Sequence, residues 1–331
     1  MADARRDVAR LSAGLAAGDP LELARAITLV ESERPEDREL AEELVEAVLP
    51  RAGASLRVAV SGAPGVGKST LIDVLGRHVV AGGRTIAVLA VDPSSQITGG
   101  SVLGDKTRMS RLAATKRSFI RPSPSGGVLG GVARRTREAI TLCEAAGFDT
   151  VVVETVGVGQ SELEAASLVD VFVLLVAPGA GDELQGMKRG IVEVADVVAV
   201  NKADGVDRER AEQAAVAISN ALGLFSRSTG GRTTPVVTLS ALEERGVPEL
   251  WTAVEATVVA AQASGAYAER RSRDRLAWFR SELERTLRER WLARAGVGEK
   301  LAELERLVEA GSVAPSRAVR SLVDDLERQP G

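Results

Sequence analysis

The residues best equipped for chemistry begin with Gly62, Ala63, Pro64, Gly65, Val66, Gly67, Lys68 and Ser69. They satisfy G-x-x-x-x-G-K-[ST] at each fixed position. Glycines let backbone amides close around phosphate oxygens, and the N-terminus of the following helix adds positive potential. In such a loop the lysine, Lys68, reaches the β- and γ-phosphates, and the hydroxyl of Ser69 faces Mg²⁺. The stretch follows an apolar run, 56–60, and precedes a helical pattern opening near Thr70, the context this chemistry needs. Residues 62–70 therefore read as nucleotide-binding, with Lys68 also catalytic.

A second set follows the apolar run 196–200: Asn201, Lys202, Ala203 and Asp204. A carboxylate here accepts two hydrogen bonds from N1 and the exocyclic amine of guanine, a donor pair that adenine lacks. Asn201 is expected to steady the loop and touch the ring, with Lys202 lying along the base. After the run 235–239, Ser240, Ala241 and Leu242 resemble a loop that meets the guanine oxygen through a backbone amide. Together these favour GTP and GDP over adenine nucleotides.

Magnesium needs oxygen ligands, and two strand ends offer them: Asp92 after the run 85–91, and Glu154 closing 150–154. Asp105, in a Gly-rich loop, is a third candidate beside Ser69. Glu154 stands where GTPases usually carry the aspartate of D-x-x-G. Where a glutamine would orient the attacking water, this chain has Val158, and Gln160 follows two residues later. Intrinsic hydrolysis is therefore expected to be slow. The loop 178–190 mixes glycines with Asp182, Gln185 and Lys188, a composition suited to reaching the γ-phosphate or a partner. Lys68, Lys188 and Gln160 are the catalytic candidates.

The rest of the chain must position these groups. Its 331 residues are 45% hydrophobic, enough for a large core, and the net charge of −4 argues against a chain built to coat nucleic acid. One cysteine, Cys143, and one histidine, His78, exclude a disulfide framework and a cysteine-only zinc site, and both read as ordinary helix residues. No targeting or membrane-spanning pattern is visible, so a cytoplasmic location is expected. Residues 1–50 read as helices, with Asp19-Pro20 as a cap and first position. From there, short β-branched runs at 56–60, 85–91, 150–154, 171–177, 196–200 and 235–239 alternate with helical stretches. That is the pattern of a mostly parallel, doubly wound α/β sheet of six or seven strands. The expected division is a helical extension over 1–50, a P-loop nucleotide domain over 51–262 and a helical arm over 263–331. In the arm, Leu276, Phe279, Leu283, Leu287 and Trp291 share one helical stripe. Such a stripe packs on its own domain or pairs with a second subunit.

Several segments together resemble one family, the G-protein chaperones of methylmalonyl-CoA mutase of the MeaB/ArgK type. They are SGAPGVGKST, LAVDPSSQITGGSVLGDKTRM, FIRPSPSGGVLGGVARRTRE, AGFDTVVVETVGVGQSE, PGAGDELQGMKRGI and AVNKAD. The resemblance implies a Mg²⁺-dependent, slow GTPase that forms homodimers through C-terminal helices. It implies association with an adenosylcobalamin-dependent acyl-CoA mutase, whose cofactor loading the family gates. By the same carry-over, Ser69, Asp92, Asp105 and Glu154 surround the metal, and Asp182, Gln185 and Lys188 form a loop that responds to the mutase. Two other function classes fit these residues less well. A metallochaperone GTPase usually carries Cys/His motifs, which one histidine and one cysteine argue against. An ATPase or kinase tied to amino-acid transport is disfavoured by Asp204 and by the absence of a membrane segment.

Overall fold

The computed structural model describes residues 2–92, 109–124, 131–155, 160–178, 189–229, 233–294 and 296–327. The described residues form two compact units, Met1–Ala268 and Glu269–Gly331.

The first unit is built on a seven-stranded, wholly parallel sheet. Its strands are β1 (Leu56–Gly62), β2 (Ile86–Asp92), β3 (Ser118–Pro124), β4 (Thr150–Glu154), β5 (Val171–Val176), β6 (Val197–Val200) and β7 (Val236–Thr238). They lie in the order β3-β2-β4-β1-β5-β6-β7. The helices of this unit are α1 (Ala2–Ala16), α2 (Pro20–Glu31), α3 (Pro35–Val48), α4 (Lys68–Ala81), α5 (Ser110–Ala113), α6 (Gly131–Ala145), α7 (Gln160–Ala166), α8 (Arg189–Val194), α9 (Arg208–Thr229) and α10 (Val247–Ala263). A parallel sheet needs both faces covered, and successive residues serve opposite faces. Val58 and Val60 join Leu71, Leu75, Leu250 and Trp251, from α4 and α10. Ala59, Val151 and Phe172 join the other layer, with residues of α1, α2, α3, α6 and α9.

The first three helices thus share the core of the sheet. Asp19 caps α2 as expected: its Oδ1 accepts the Leu21 and Glu22 amides at 2.8 and 3.4 Å, ahead of Pro20. Cys143 is fully buried in this layer, and burial pushes its thiol well above the usual range, so it behaves as a small apolar side chain. Entry into β1 is held by the buried Glu144 of α6, which accepts the Gly53 amide, the Ser55 hydroxyl and both Nε and a terminal nitrogen of Arg57, at 2.6–2.9 Å.

The six apolar runs of the sequence correspond to β1, β2, β4, β5, β6 and β7, and the remaining strand is β3. It carries Pro122 and Pro124, which weaken any strand pattern. Proline is tolerated there because β3 is an edge strand and pairs only with β2.

The second unit holds most of α11 (Ala266–Leu292), with α12 (Val297–Glu309) and α13 (Pro315–Glu327). Val297, Leu304, Ala318 and Leu322 form its small core, with Trp291 packed against them. Leu276, Phe279, Leu283 and Leu287 stay 46–62% exposed along α11. No described helix is long and apolar enough to cross a bilayer.

Candidate nucleotide site

The parallel register brings the carboxyl ends of three strands together. Glu154 on β4 lies opposite Val60 on β1 and Ala90 on β2, and Gly62 lies opposite Leu175 on β5, so the phosphate loop leaves β1 beside the ends of its neighbours β4 and β5. This is the edge where open α/β sheets bind ligands.

The loop has little room for side chains. Gly62 has φ 153°, and a Cβ there would sit 2.1 Å from the Leu175 carbonyl oxygen of β5. Gly67 has φ 101°, and its Cβ would lie 2.5 Å from the side-chain nitrogen of Asn201. Both positions are open to glycine and strained for other residues. The Lys68 ammonium donates to the carbonyl oxygens of Gly62 and Ala63 at 2.8 and 3.1 Å. It thus lies back along the loop it is expected to serve. The Ser69 hydroxyl donates to Glu154 Oε1 at 2.7 Å. Two groups from positions 85 residues apart, both expected at the metal, are therefore in direct contact. Both are hard oxygen donors, a set that suits Mg²⁺ and not a soft metal.

The base loops are tied to the phosphate loop by one side chain. Asn201, which is 3% exposed, donates from Nδ2 to the Val66 carbonyl at 2.8 Å, and its Oδ1 accepts the Ala241 amide at 3.0 Å. The structure thus gives Asn201 a bracing role across three loops. The Ala241 amide braces the loop as well, since Asn201 engages it. The Ser240 hydroxyl donates to Asp204 Oδ1 at 2.8 Å and accepts the Glu243 amide at 3.0 Å. The carboxylate expected to read guanine is therefore oriented from the far loop. Lys202 is exposed and left-handed, with φ 62°, and Leu242 is exposed as well.

Other expected site residues have a partial description. Asp92 closes β2 and Gln160 opens α7, both at the backbone level. Asp105, Asp182, Gln185 and Lys188 lie outside the described residues, as does Val158. Two residues without a motif of their own, Arg245 and Glu244, also hold the site. Arg245 donates to the Ala203 carbonyl at 3.0 Å, and Glu244 accepts from Arg77 of α4 and Arg111 of α5. Their signal was faint: a charged turn, Glu-Glu-Arg-Gly, two residues beyond Ser240-Ala241.

Comparison with known proteins fits this geometry. Residues 23–295 match the family model described as methylmalonyl Co-A mutase-associated GTPase MeaB. A probable GTPase of Mycobacterium tuberculosis H37Rv is 47% identical over 314 residues, covering 95% of this chain and 94% of that protein. The mouse protein named methylmalonic aciduria type A homolog, mitochondrial, is 42% identical over 329 residues, covering 96% of this chain and 79% of that one. A crystal structure titled LAO/AO transport system kinase superposes with a TM-score of 0.76 at 34% identity, covering 97% of both chains. With its P-loop fold, this chain is a GTP hydrolase and belongs to the MeaB family of methylmalonyl-CoA mutase-associated GTPases.

Proposed function

We propose that this GTPase is Mg²⁺-dependent, turns over slowly alone, and acts as the chaperone of an adenosylcobalamin-dependent acyl-CoA mutase. In that role it gates the loading of intact cofactor and protects the mutase. The observation that carries the reading is the family match, which runs through the phosphate loop, the base loops and most of the chain. A cytoplasmic location is part of the same reading.

Each residue has a proposed task. The amides of 62–70 wrap the phosphates, Lys68 swings from the Gly62 and Ala63 carbonyls to the β- and γ-phosphates, and Asp204 selects guanine. Ser69 and Glu154 hold Mg²⁺, with Asp92 and Asp105 completing the set. Bound Mg²⁺ neutralises charge on the phosphate oxygens. Gln160 and Lys188 are the candidates for completing the reacting side, and Asp182, Gln185 and Lys188 for answering the mutase. With Val158 where a water-orienting glutamine would stand, hydrolysis waits for a partner.

The test is turnover with and without a purified acyl-CoA mutase. Stimulation of roughly tenfold or more, about 1.4 kcal/mol off the barrier, is expected. The same low rate in both cases, with no complex on co-purification, removes the chaperone reading.

The exposed stripe of Leu276, Phe279, Leu283 and Leu287 supports a homodimer paired through the arm. Light scattering should give twice the 34.7 kDa chain mass. A monomer at micromolar concentration would remove that role from the stripe.

A further inference from the structure

Among the described residues, two non-glycine positions are left-handed: Lys202 and Glu244, both in the base loops. Glu244 has φ 58°, a conformation that costs an L side chain energy unless the surroundings hold it. Here two arginines do. Glu244 Oε1 accepts from Arg77 of α4 at 2.7 Å and from Arg111 of α5. The same pairing holds the Glu244 carboxyl below the usual carboxylate range.

The two arginines belong to elements that are themselves joined. Arg77 Nε lies 3.4 Å from Asp73 Oδ2, and Asp73 Oδ1 accepts the buried Leu112 amide at 2.9 Å. Leu112 also packs on Gly76 so closely that a Cβ at Gly76 would lie 2.4 Å from it. The short helix α5 is thus fastened to the phosphate-loop helix α4. It is the first described helix after β2. On its other side Glu244 is four residues from Ser240, which holds Asp204, and next to Arg245, which holds the Ala203 carbonyl.

We propose that Glu244 is a positioning residue for nucleotide retention. It pins the loop 240–246 to α4 and α5, so that the grip of Asp204 on the base depends on the same contacts that tie α5 to the phosphate-loop helix. The proposal rests on the base-site reading of Asp204.

Glu244→Gly is the informative variant, because glycine adopts φ 58° freely while removing the carboxylate. Release of a fluorescent GDP, followed by stopped flow, should quicken roughly fivefold or more, the lower range for coupled sites. The melting temperature should stay near that of the parent chain. Glu244→Gln keeps one acceptor and should fall between. Arg111→Ala should quicken release, and its effect should add incompletely to that of Glu244→Gly. Release within twofold of the parent in Glu244→Gly and Glu244→Gln overturns the proposal. So does a fall in melting temperature that tracks release across the variants, since the cluster would then be a stability element only. Asp204→Asn separates the two readings. Unchanged GDP binding there overturns the base site and the proposal with it. Loss there, with none in Glu244→Gly, overturns the proposal alone.

Discussion

Lys68→Ala should abolish measurable GTP hydrolysis while leaving the protein folded. The ammonium is the one cation that the phosphate loop itself supplies, and removing a single preorganised donor to transferring charge costs about 10²–10³ in rate, or about 3–4 kcal/mol. The structural loss is smaller. Lys68 donates to two carbonyls of its own loop, Gly62 and Ala63, which lie at the ligand edge. A hydrogen bond from a charged donor is worth about 1.5–3 kcal/mol, and water at this edge can take up the freed carbonyls. The expected result is a melting temperature within a few degrees of the parent chain and no phosphate release above background. Hydrolysis within threefold of the parent would place the phosphate chemistry on another cation.

Asp204→Asn should exchange one base preference for another. A carboxylate accepts from both N–H groups of guanine, whereas asparagine presents an amine to one of them. The Ser240 hydroxyl decides which end: it donates at 2.8 Å to Oδ1, so an asparagine keeps its oxygen there and turns its amine toward the base. Two donors then meet, with a buried polar pair left unsatisfied. Xanthine carries a carbonyl in place of the exocyclic amine and restores the match. Guanine nucleotide affinity should fall by about 10² or more, from the upper cost of leaving a buried polar pair unsatisfied, while xanthosine diphosphate gains. Competition titration reads both. Retention of GDP binding with no gain for the xanthine nucleotide would show that Asp204 does not read the base.

The Lys68 and Asp204 predictions differ in how much of their basis lay in the sequence. The phosphate loop was legible because its signal is local: glycines, a lysine and a hydroxyl at fixed spacing between an apolar run and a helix. Strand β4 was legible end to end, since Thr150–Glu154 is a short β-branched run buried on both faces. Strand β3 was not, because Pro122 and Pro124 read as breakers and only its place at the sheet edge explains why they are tolerated. The exposed stripe on α11 could be seen, but periodicity does not say what covers it.

The amino-acid sequence by itself set which groups are on offer for the proposed nucleotide site: Gly62 to Thr70 as candidates for the phosphates, Asp204 for guanine, Ser69 and the carboxylates at strand ends for a metal, and neither thiol nor imidazole pairs. Tertiary structure decided which of them meet. Ser69 touches Glu154 because β1 and β4 are neighbours in register. Asn201 reaches the Val66 carbonyl across 135 residues because β6 lies one strand beyond β5, on the side of the sheet centre where the chain returns. Glu244 holds Arg77 and Arg111 because α4, α5 and the loop after β7 converge. Residue type and spacing act over one or two turns of chain. Contacts between distant segments follow from strand order and crossover, which no local pattern encodes.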